Sequence, residues 1–419
     1  MKVLIALHND KNYSLTSIDE VLKGEASCAG STGAAIRLAE LLFDRGIEVY
    51  IAYSIKLISH KIPFVLYEDV VTEHFDRLIV LHTHWDGTKL TFGNEVLSKT
   101  ILFAQNHLSL VSTYNFFKGG GHKIVSISYY HANISRALPL WRNRIAAIYN
   151  SYCPLFHPER ADKVKTSTQH SEPKLLFVGA ITPSKGFIEL MELWSYLSSK
   201  KVNLKLAIAG SIGLHHSITK LGPTGVAEEA FDLQHIQPWL RSLPNGYQPN
   251  FLGSLSPIEL RAEIYDSWAG IVNPGGVPET FCVSAVDIQA CNKTVYSVDS
   301  GALQETIYHG DFKSLATEKS PVALGNLIIH GLNNPQALAD NNKLAGDFVR
   351  NKFASENIAR CWLNLLSEEN SELSIPILPN NFRDAISDIA RLTNTSILIN
   401  RLRKPEERKL YERFSQNIS

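Results

Sequence analysis

The sequence alternates short apolar runs with amphipathic segments, a pattern typical of α/β proteins. In the first half, apolar runs predict strands at residues 2–7, 48–52, 77–81, 101–104, 124–128 and 145–148. A helix is predicted at 33–45, because Ile36, Leu38 and Leu42 fall on one side of it. Short continuous apolar runs are typical of parallel sheets that are buried on both faces. The first half is therefore predicted to be a doubly wound, Rossmann-like domain.

A second series of the same kind follows a polar, charged segment at 161–173, which is predicted to be a linker. Its strands are predicted at 174–178, 204–209, 250–252, 270–273 and 294–298, and its helices include 187–198 and 257–267. We predict an N-terminal domain at 1–165 and a C-terminal domain at 166–350, both Rossmann-like, facing each other across a cleft. In residues 351–419 we predict a helix that packs back on the first domain and an appendix to which the sequence assigns no role.

Composition narrows the class of protein without naming a function. The 419 residues are 44% hydrophobic and 20% charged, the balance of a soluble globular protein of two or three domains. Lys and Arg number 41, as do Asp and Glu, so the formal net charge is zero. A neutral chain has no overall field that attracts a polyanion, and we predict no nucleic-acid partner. The oligomeric state is left open.

Cysteine usage and hydropathy give an expectation for location. Five widely spaced cysteines contain no C-x-x-C pair, which favours neither a disulfide framework nor structural zinc. No apolar run approaches about 18 residues, and no signal peptide is predicted before the first strand. A cytoplasmic protein is therefore expected. Basic residues at 401–409 suggest peripheral contact with the inner face of an anionic membrane or with another subunit, whereas interspersed glutamates favour a solvated helix.

Residues 273–287 carry the strongest local signal for a ligand site. The apolar run at 268–272 predicts a strand, the Pro/Gly-rich segment after it predicts a loop, and residues 283–290 predict a short helix. Glu279 and Asp287, separated by seven residues, lie on either side of the start of this helix. In open α/β sheets this edge, at the carboxyl ends of the strands, is where ligands bind.

Helix-start amides and carboxylates together suit an anionic ligand with many hydroxyls. The amides of Phe281, Cys282 and Val283 are predicted to attract phosphate oxygens, because they lack intrahelical partners and lie at the positive end of the helix dipole. Carboxylates nearby accept hydrogen bonds from sugar hydroxyls. The alternative is a plain loop in which Glu279 caps the helix.

Two further turns are candidates for phosphate binding. Gly30, Ser31 and Thr32 precede the first predicted helix, where they either cap the helix or bind phosphate. These residues match neither the dinucleotide fingerprint nor a P-loop. Lys185 lies in the strand-to-helix turn at 179–186, and its ammonium group is either solvated or directed at phosphate.

Histidines follow two of the predicted strands. His82 and His84 are spaced like a metal-binding pair, but no acidic residue lies at ligand spacing, so no metal site is predicted. His107 comes directly after the strand at 101–104 and either contacts a reacting group or is a hydrogen-bonded structural residue. Residues 147–158 are read as a strand that ends in a polar turn.

Taken in order over residues 1–366, these segments resemble the retaining GT-B glycosyltransferases of the large "glycosyl transferases group 1" (family 4-like) family. Gly30 and the segments Leu38-Ala39-Glu40 and Arg45-Gly46-Ile47-Glu48-Val49 are similar to the family's glycine loop, helix and R-G-x-E-V strand. His107 is similar to the family's strand-terminal histidine, and Asn150 with Phe156 and Pro158 matches the pattern I-P-N-G-V-D-x-x-x-F-x-P. Lys185-Gly186 matches the end of the pattern G-R-L-x-x-x-K-G. Glu279 with Asp287 matches the E-x7-E motif.

The resemblance implies a GT-B fold and transfer of a sugar from a nucleotide-diphosphate donor to a hydroxyl acceptor, with no cofactor or metal. The acceptor would be a glycan, a glycolipid or a small metabolite. The donor diphosphate would lie between Gly30–Thr32 and Lys185, with the amides of Phe281–Val283 as further donors. The resemblance assigns Glu279 and His107 to the transferred sugar and Asp287 to the nucleotide ribose.

Three positions depart from the family pattern. Ala180 stands where the family has an arginine, so one cation facing the diphosphate is missing. Asp287 replaces a glutamate, which shortens its reach by one methylene, and Cys282 replaces a glycine. Because of Ala180, a catalytically weak or inactive GT-B module that binds sugar or a partner is the main alternative. An epimerase, a phosphorylase or a dehydrogenase is disfavoured, because their cofactor or acid/base groups are not found.

Overall fold

The structure, a computed structural model, describes residues 1–7, 15–82, 94–135, 139–158, 172–212 and 220–367. Within these ranges the chain folds into two parallel sheets, one in each half, with helices packed against them. Most of the predicted linker, His84 and the appendix beyond residue 367 lie outside the described ranges.

The short apolar runs of the first half form a parallel sheet whose central strands are almost completely buried. Its strands are β1 (Lys2–Ala6), β2 (Glu48–Tyr53), β3 (Phe64–Leu66), β4 (Arg77–His82), β5 (Thr100–Ala104), β6 (Lys123–Ser126) and β7 (Ile145–Ala147). The helices are α1 (Ile18–Lys23), α2 (Gly30–Phe43), α3 (Leu110–Lys118) and α4 (Tyr129–Ser135). In the described part of this half the strand order is β3-β2-β1-β4-β5-β6-β7, and the pairings are parallel.

The second half repeats this construction. Its strands are β8 (Lys174–Val178), β9 (Lys205–Ala209), β10 (Asn250–Gly253), β11 (Ala269–Ile271), β12 (Val295–Val298) and β13 (Leu315–Ala316). Its helices are α5 (Phe187–Ser199), α6 (Glu229–Phe231), α7 (Gln237–Ser242), α8 (Pro257–Tyr265), α9 (Val283–Ala290), α10 (Leu303–Thr306), α11 (Pro321–Asn333), α12 (Pro335–Lys352) and α13 (Ser355–Leu366), with a π-helical turn at Asp232–Ile236. Among the described residues the strand order is β10-β9-β8-β11-β12-β13, again parallel.

Each sheet has a point at which the strand order reverses. In the first sheet it lies between β1 and β4, and in the second between β8 and β11. The connections leaving neighbouring strands there run to opposite faces of the sheet, which opens a crevice at the carboxyl ends of the strands. The turn that carries Lys185 follows β8, and the loop that carries Glu279 follows β11. The fold therefore places both predicted segments at one crevice.

The predicted α/β class and doubly wound sheets are confirmed, but several boundaries differ. The helix predicted from residue 33 begins at Gly30, so Ser31 and Thr32 lie in its first turn. The interpretation of Ser31 or Thr32 as a cap is wrong, because Ala29 holds the N-cap position and no side chain caps the helix. Helix α1 and strand β3 were not predicted; each is short, and their residues show no clear period.

A shared apolar cluster joins the two halves. Helix α13, after the second sheet, packs on α2 of the first half. Trp362 of α13 is 1% exposed and meets Phe103 of β5 edge to face, with 5.2 Å between ring centroids. At the start of α13, Glu356 forms an ion pair with Arg45. The last described helix is therefore anchored on the first half, whereas the predicted domain boundaries stay a prediction.

No helix in the described ranges combines the length and the apolar character that crossing a bilayer requires.

We expect Trp362→Ala to lower the free energy of unfolding by about 3–5 kcal/mol, because it leaves a large cavity where the two halves meet. Leu344→Ala is the matched control, since Leu344 is 48% exposed on α12 and its truncation should change stability by less than about 0.5 kcal/mol. Urea denaturation followed by circular dichroism measures both values. Equal effects of the two substitutions would contradict the anchoring role of α13.

Candidate active site

An ion pair occupies the crevice between β8 and β11. Lys185 belongs to a 3₁₀ turn at Pro183–Lys185, and its Nζ lies 2.7 Å from Oε1 of Glu279. The Glu279 side chain is 13% exposed, whereas that of Lys185 is 42% exposed. A cation that faces solvent thus lies beside a carboxylate that is mostly enclosed. This pair is the charged centre of the candidate site.

Two glycines allow the backbone segments around this ion pair to approach each other. Gly186 has φ +77°, and a β-carbon there would lie 2.4 Å from the amide nitrogen of Gly275. Gly301 has φ +62°, and a β-carbon there would lie 2.6 Å from the backbone nitrogen and oxygen of Glu279. Only glycine fits both the left-handed conformation and such close contact. The positions of Lys185 and Glu279 therefore depend on these glycines.

The start of α9 is rigidly held. Phe281, one residue before the cap, is 1% exposed and packs against Tyr149 and Phe353, with ring centroids 6.2 Å and 5.3 Å away. Its backbone and those of Cys282 and Val283 form the amino end of α9, where amides lack intrahelical acceptors. The predicted helix start is confirmed at Val283.

The amino ends of α2 and α9 face each other across the two halves. A β-carbon placed on Gly30, the first residue of α2, would lie 3.8 Å from Cγ2 of Val283, the first residue of α9. Ser31 and Thr32 are half-buried in the first turn of α2. Each helix start carries a partial positive charge, so this junction is suited to an anion.

His107 reaches the same region from the first half. It lies three residues beyond β5 and is half-buried, with its ring 5.1 Å from that of His131 and 5.9 Å from that of Tyr130. The hydroxyl of Thr280 donates to the carbonyl of Gln105 at 2.7 Å. Because Thr280 is adjacent to Glu279, the His107 loop and the Glu279 loop are joined directly.

Asn150, which follows β7, supports the His107 loop through Gln105. Its side chain exchanges two hydrogen bonds with that of Gln105, at 3.0 and 3.3 Å, and both residues are buried. The amide pair holds the end of the first sheet beside the His107 loop.

His82 ends β4. In the ranges that the structure describes, no three His, Cys, Asp or Glu side chains converge as a metal site, and the expectation that transfer needs no metal stays a prediction.

Asp287 lies in the second turn of α9 and is 8% exposed. Burial raises the pKa of its carboxyl to about 6, although nearby Arg37 and a hydrogen bond from the Cys153 backbone lower it. Arg37 belongs to α2 and Cys153 to the segment after β7, so Asp287 faces the first half. Its predicted role at a ribose stays a prediction.

Cys282 and Ala180 are the other departures from the family pattern. Cys282 has φ +68° and ψ +77°, a left-handed conformation that explains why glycine suits this position. Burial raises the pKa of its thiol to about 12, so the group is uncharged at neutral pH. Ala180 is half-buried at the end of β8 and supplies no charge. Lys185 and the helix starts therefore supply positive character here without an arginine at position 180.

Sequence reasoning did not find the contacts of Thr280 and Gly301. The Thr280 hydrogen bond joins residues 175 positions apart, and no local pattern indicates such a contact. A turn at Gly301 could have been predicted, because this glycine follows a strand, and glycine is common in the turns at strand ends.

Solved structures with the same architecture are glycosyltransferases and related sugar enzymes of the GT-B fold. Sucrose-phosphate synthase from Thermosynechococcus elongatus matches with a TM-score of 0.65 and 14% identity, over 88% of this chain and 99% of that one. A glycosyltransferase from Rickettsia africae matches with a TM-score of 0.66 and 16% identity, over 88% of this chain and 99% of that one. HepE of Anabaena, solved with UDP, matches with a TM-score of 0.64 and 14% identity, over 88% of this chain and 100% of that one. The GT-B fold is thereby confirmed.

Residues 158–348 match the family model described as "Glycosyl transferases group 1". This match supports the resemblance read from the motifs, whereas retention of anomeric configuration stays a prediction. Lipopolysaccharide 1,2-N-acetylglucosaminetransferase of Salmonella typhimurium is 26% identical over 191 residues, which cover 44% of this chain and 46% of that protein. The matched region thus spans about half the length of this relative.

We expect Asp287→Asn to stabilise the protein at neutral pH by about 1–3 kcal/mol, because the folded state disfavours the ionised carboxyl. The folded pKa is raised, so the stability that protonation provides is present below about pH 4 and is lost as the pH rises through about 6. The gain of the variant should therefore grow between these values and then level off.

Urea denaturation from about pH 4.5 to 7.5 measures this difference, with the exposed Asp311→Asn as control. The control should follow the wild type at every pH. A gain for Asp287→Asn that does not change with pH would show that the carboxyl is not the titrating group.

Proposed function

We propose that the protein transfers a sugar from a nucleotide-diphosphate donor to a hydroxyl acceptor, with retention of anomeric configuration. The observation that carries the proposal is the Lys185–Glu279 pair, 2.7 Å apart, beside the facing starts of α2 and α9. A nucleotide sugar needs positive charge for its diphosphate and hydrogen-bond acceptors for its sugar. This site offers both within one crevice.

The diphosphate would lie between Lys185 and the amino ends of the two helices. Lys185 is the more exposed member of the ion pair, so its ammonium group is accessible to phosphate oxygens. Helix-start amides add donors that need no reorganisation as charge develops on the leaving diphosphate. Because position 180 is alanine, Lys185 and the helix-start amides must stabilise the diphosphate without the arginine that the family has there.

The sugar would face the carboxylate and histidine side of the site. Glu279 would accept hydrogen bonds from sugar hydroxyls once Lys185 turns to the diphosphate. His107 would contact the same sugar, because the Thr280–Gln105 hydrogen bond holds its loop beside that of Glu279. Asp287 is enclosed and has a short side chain, so a bridging water suits its proposed link to the ribose.

Retention would follow from attack on the face from which the phosphate departs. In the proposed reaction the acceptor oxygen bonds to the anomeric carbon as the bond to the diphosphate oxygen breaks. A phosphate oxygen takes the acceptor proton. This route requires neither a covalent enzyme intermediate nor a metal, and Lys185 neutralises the charge on the departing group. Closure of the cleft would exclude water and limit hydrolysis of the donor.

Names of similar proteins narrow the proposed substrates. The Salmonella relative is named as an N-acetylglucosaminetransferase acting on lipopolysaccharide, and HepE was solved with UDP. We therefore propose UDP-sugars as the first donors to test and a glycan or glycolipid as the first acceptor. We further propose that the enzyme is cytoplasmic and acts at the inner face of a membrane. A catalytically inactive sugar-binding module is the second candidate, because Ala180 removes one cation.

We expect Lys185→Ala to weaken UDP binding about 10- to 100-fold, because one charge-assisted hydrogen bond to the diphosphate is lost. Glu279→Gln should lower kcat with a smaller change in UDP affinity, since Glu279 faces the sugar. Lys343→Ala, at an exposed position of α12, is the control and should match the wild type.

Titration calorimetry with UDP and turnover of UDP-GlcNAc, UDP-glucose, ADP-glucose and GDP-mannose measure these effects. UDP binding without turnover of any donor would favour the binding module. Binding or turnover that is unchanged by both substitutions would contradict the assigned site.

A further inference from the structure

Glu305 of α10 reaches across to the first half of the protein. Its two carboxylate oxygens accept hydrogen bonds from the backbone amides of Tyr129 at 2.9 Å and Tyr130 at 2.6 Å. The hydroxyl of Tyr149 donates to it at 2.8 Å. The residue is only 5% exposed, and it is bound by three donors from the other half. A buried carboxylate with three donors is strongly fixed in place.

The surroundings of Glu305 reinforce this contact. Nζ of Lys352 donates to the Glu305 carbonyl at 2.7 Å and lies 5.1 Å from the Tyr149 ring and 5.0 Å from the Phe348 ring. Burial lowers the pKa of Lys352, and the charge of Glu305 opposes this shift. Burial and Glu305 together raise the pKa of Tyr149, which keeps its hydroxyl as a donor.

The amides that Glu305 binds open helix α4, and α4 supports His107. Tyr130 and His131 of this helix both meet the His107 ring edge to face, at 5.9 and 5.1 Å. His131 is fully buried, and burial lowers its pKa to about 4, so it is neutral beside His107. The Ser128 hydroxyl accepts from the His131 amide at 3.0 Å. The His107 ring thus rests on a helix whose first turn is tied to the second half.

We propose that Glu305 is a positioning residue that fixes α4 and, through Tyr130 and His131, orients His107 toward the transferred sugar. This inference rests on the proposed function, in which His107 contacts that sugar. His107 would then be in place only when α10 is docked on the first half. The arrangement couples the approach of the two halves to completion of the site.

A second contact between the halves provides a matched control. Arg261 of α8 donates to the Leu155 carbonyl at 3.1 Å, so it also bridges the halves and is partly buried. Leu155 belongs to the turn at Pro154–Phe156 rather than to α4. Loss of the Arg261 contact should lower stability without disturbing His107.

The test compares Glu305→Ala, Glu305→Gln and Arg261→Met, each made in the wild type and in a His107→Ala background. UDP-GlcNAc and UDP-glucose serve as donor probes, and kcat, donor KM and Tm are measured. Glu305→Ala should lower kcat on the order of 100-fold with little change in KM, since a displacement near 1 Å has an effect of this size. Glu305→Gln, which retains an acceptor oxygen, should recover part of the rate. Arg261→Met should lower Tm alone.

In the His107→Ala background, Glu305→Ala should reduce kcat by less than about threefold, because a residue that acts through His107 is not additive with it. Equal losses in both backgrounds, or a lower Tm with an unchanged kcat, would overturn the proposal. If the wild type turns over neither probe, nor ADP-glucose or GDP-mannose, the proposed function fails on that observation. Histidine-selective ¹⁵N NMR then decides the positioning separately: Glu305→Ala must shift the His107 ring signals, and unchanged signals overturn it.

Discussion

Two helix starts that face each other create the electrostatic condition on which this site depends. The first residues of α2 and α9 come from different halves, and a β-carbon placed on Gly30 would lie at van der Waals distance from Val283. Both ends carry partial positive charge, so their approach is unfavourable unless packing compensates for it or an anion lies between them. The shared apolar cluster, which includes Phe281 and Trp362, provides the packing. A diphosphate provides the anion in the proposed reaction.

Much of this architecture follows from local sequence. Continuous apolar runs such as those at β1 and β5 identify buried parallel strands, because both faces of each strand are covered. The loop before α9 was also predictable, since Pro and Gly end the preceding run and Val283 begins a helical one. Lys185 and Glu279 were placed on two such loops, and the reversal of strand order at β8 and β11 brings the loops together.

The remaining features depend on contacts between distant residues. Glu305 meets amides that lie 175 and 176 positions away, and its own segment gives no sign of this role. The family resemblance assigned Asp287 to the ribose, yet only the folded chain shows how closely the first half encloses it. Helix α2 begins three residues before its expected start, because Ala29 holds the cap position and the serine and threonine that suggest a cap lie inside the first turn. At the start of α2, packing between the two halves outweighs the capping propensity of serine and threonine.

The contact between Lys185 and Glu279 also bears on which molecules the cleft can select. Without a ligand, each charge neutralises the other, so the cleft has a weaker field than its residues suggest. A ligand that offers only hydroxyls would leave the carboxylate bound to its ammonium partner. One that offers only phosphate would take the ammonium and leave an enclosed carboxylate without compensation, which is unfavourable. A compound that carries both groups can exchange with both partners at once, so under the proposed function the ion pair would discriminate in favour of a phosphate linked to a sugar.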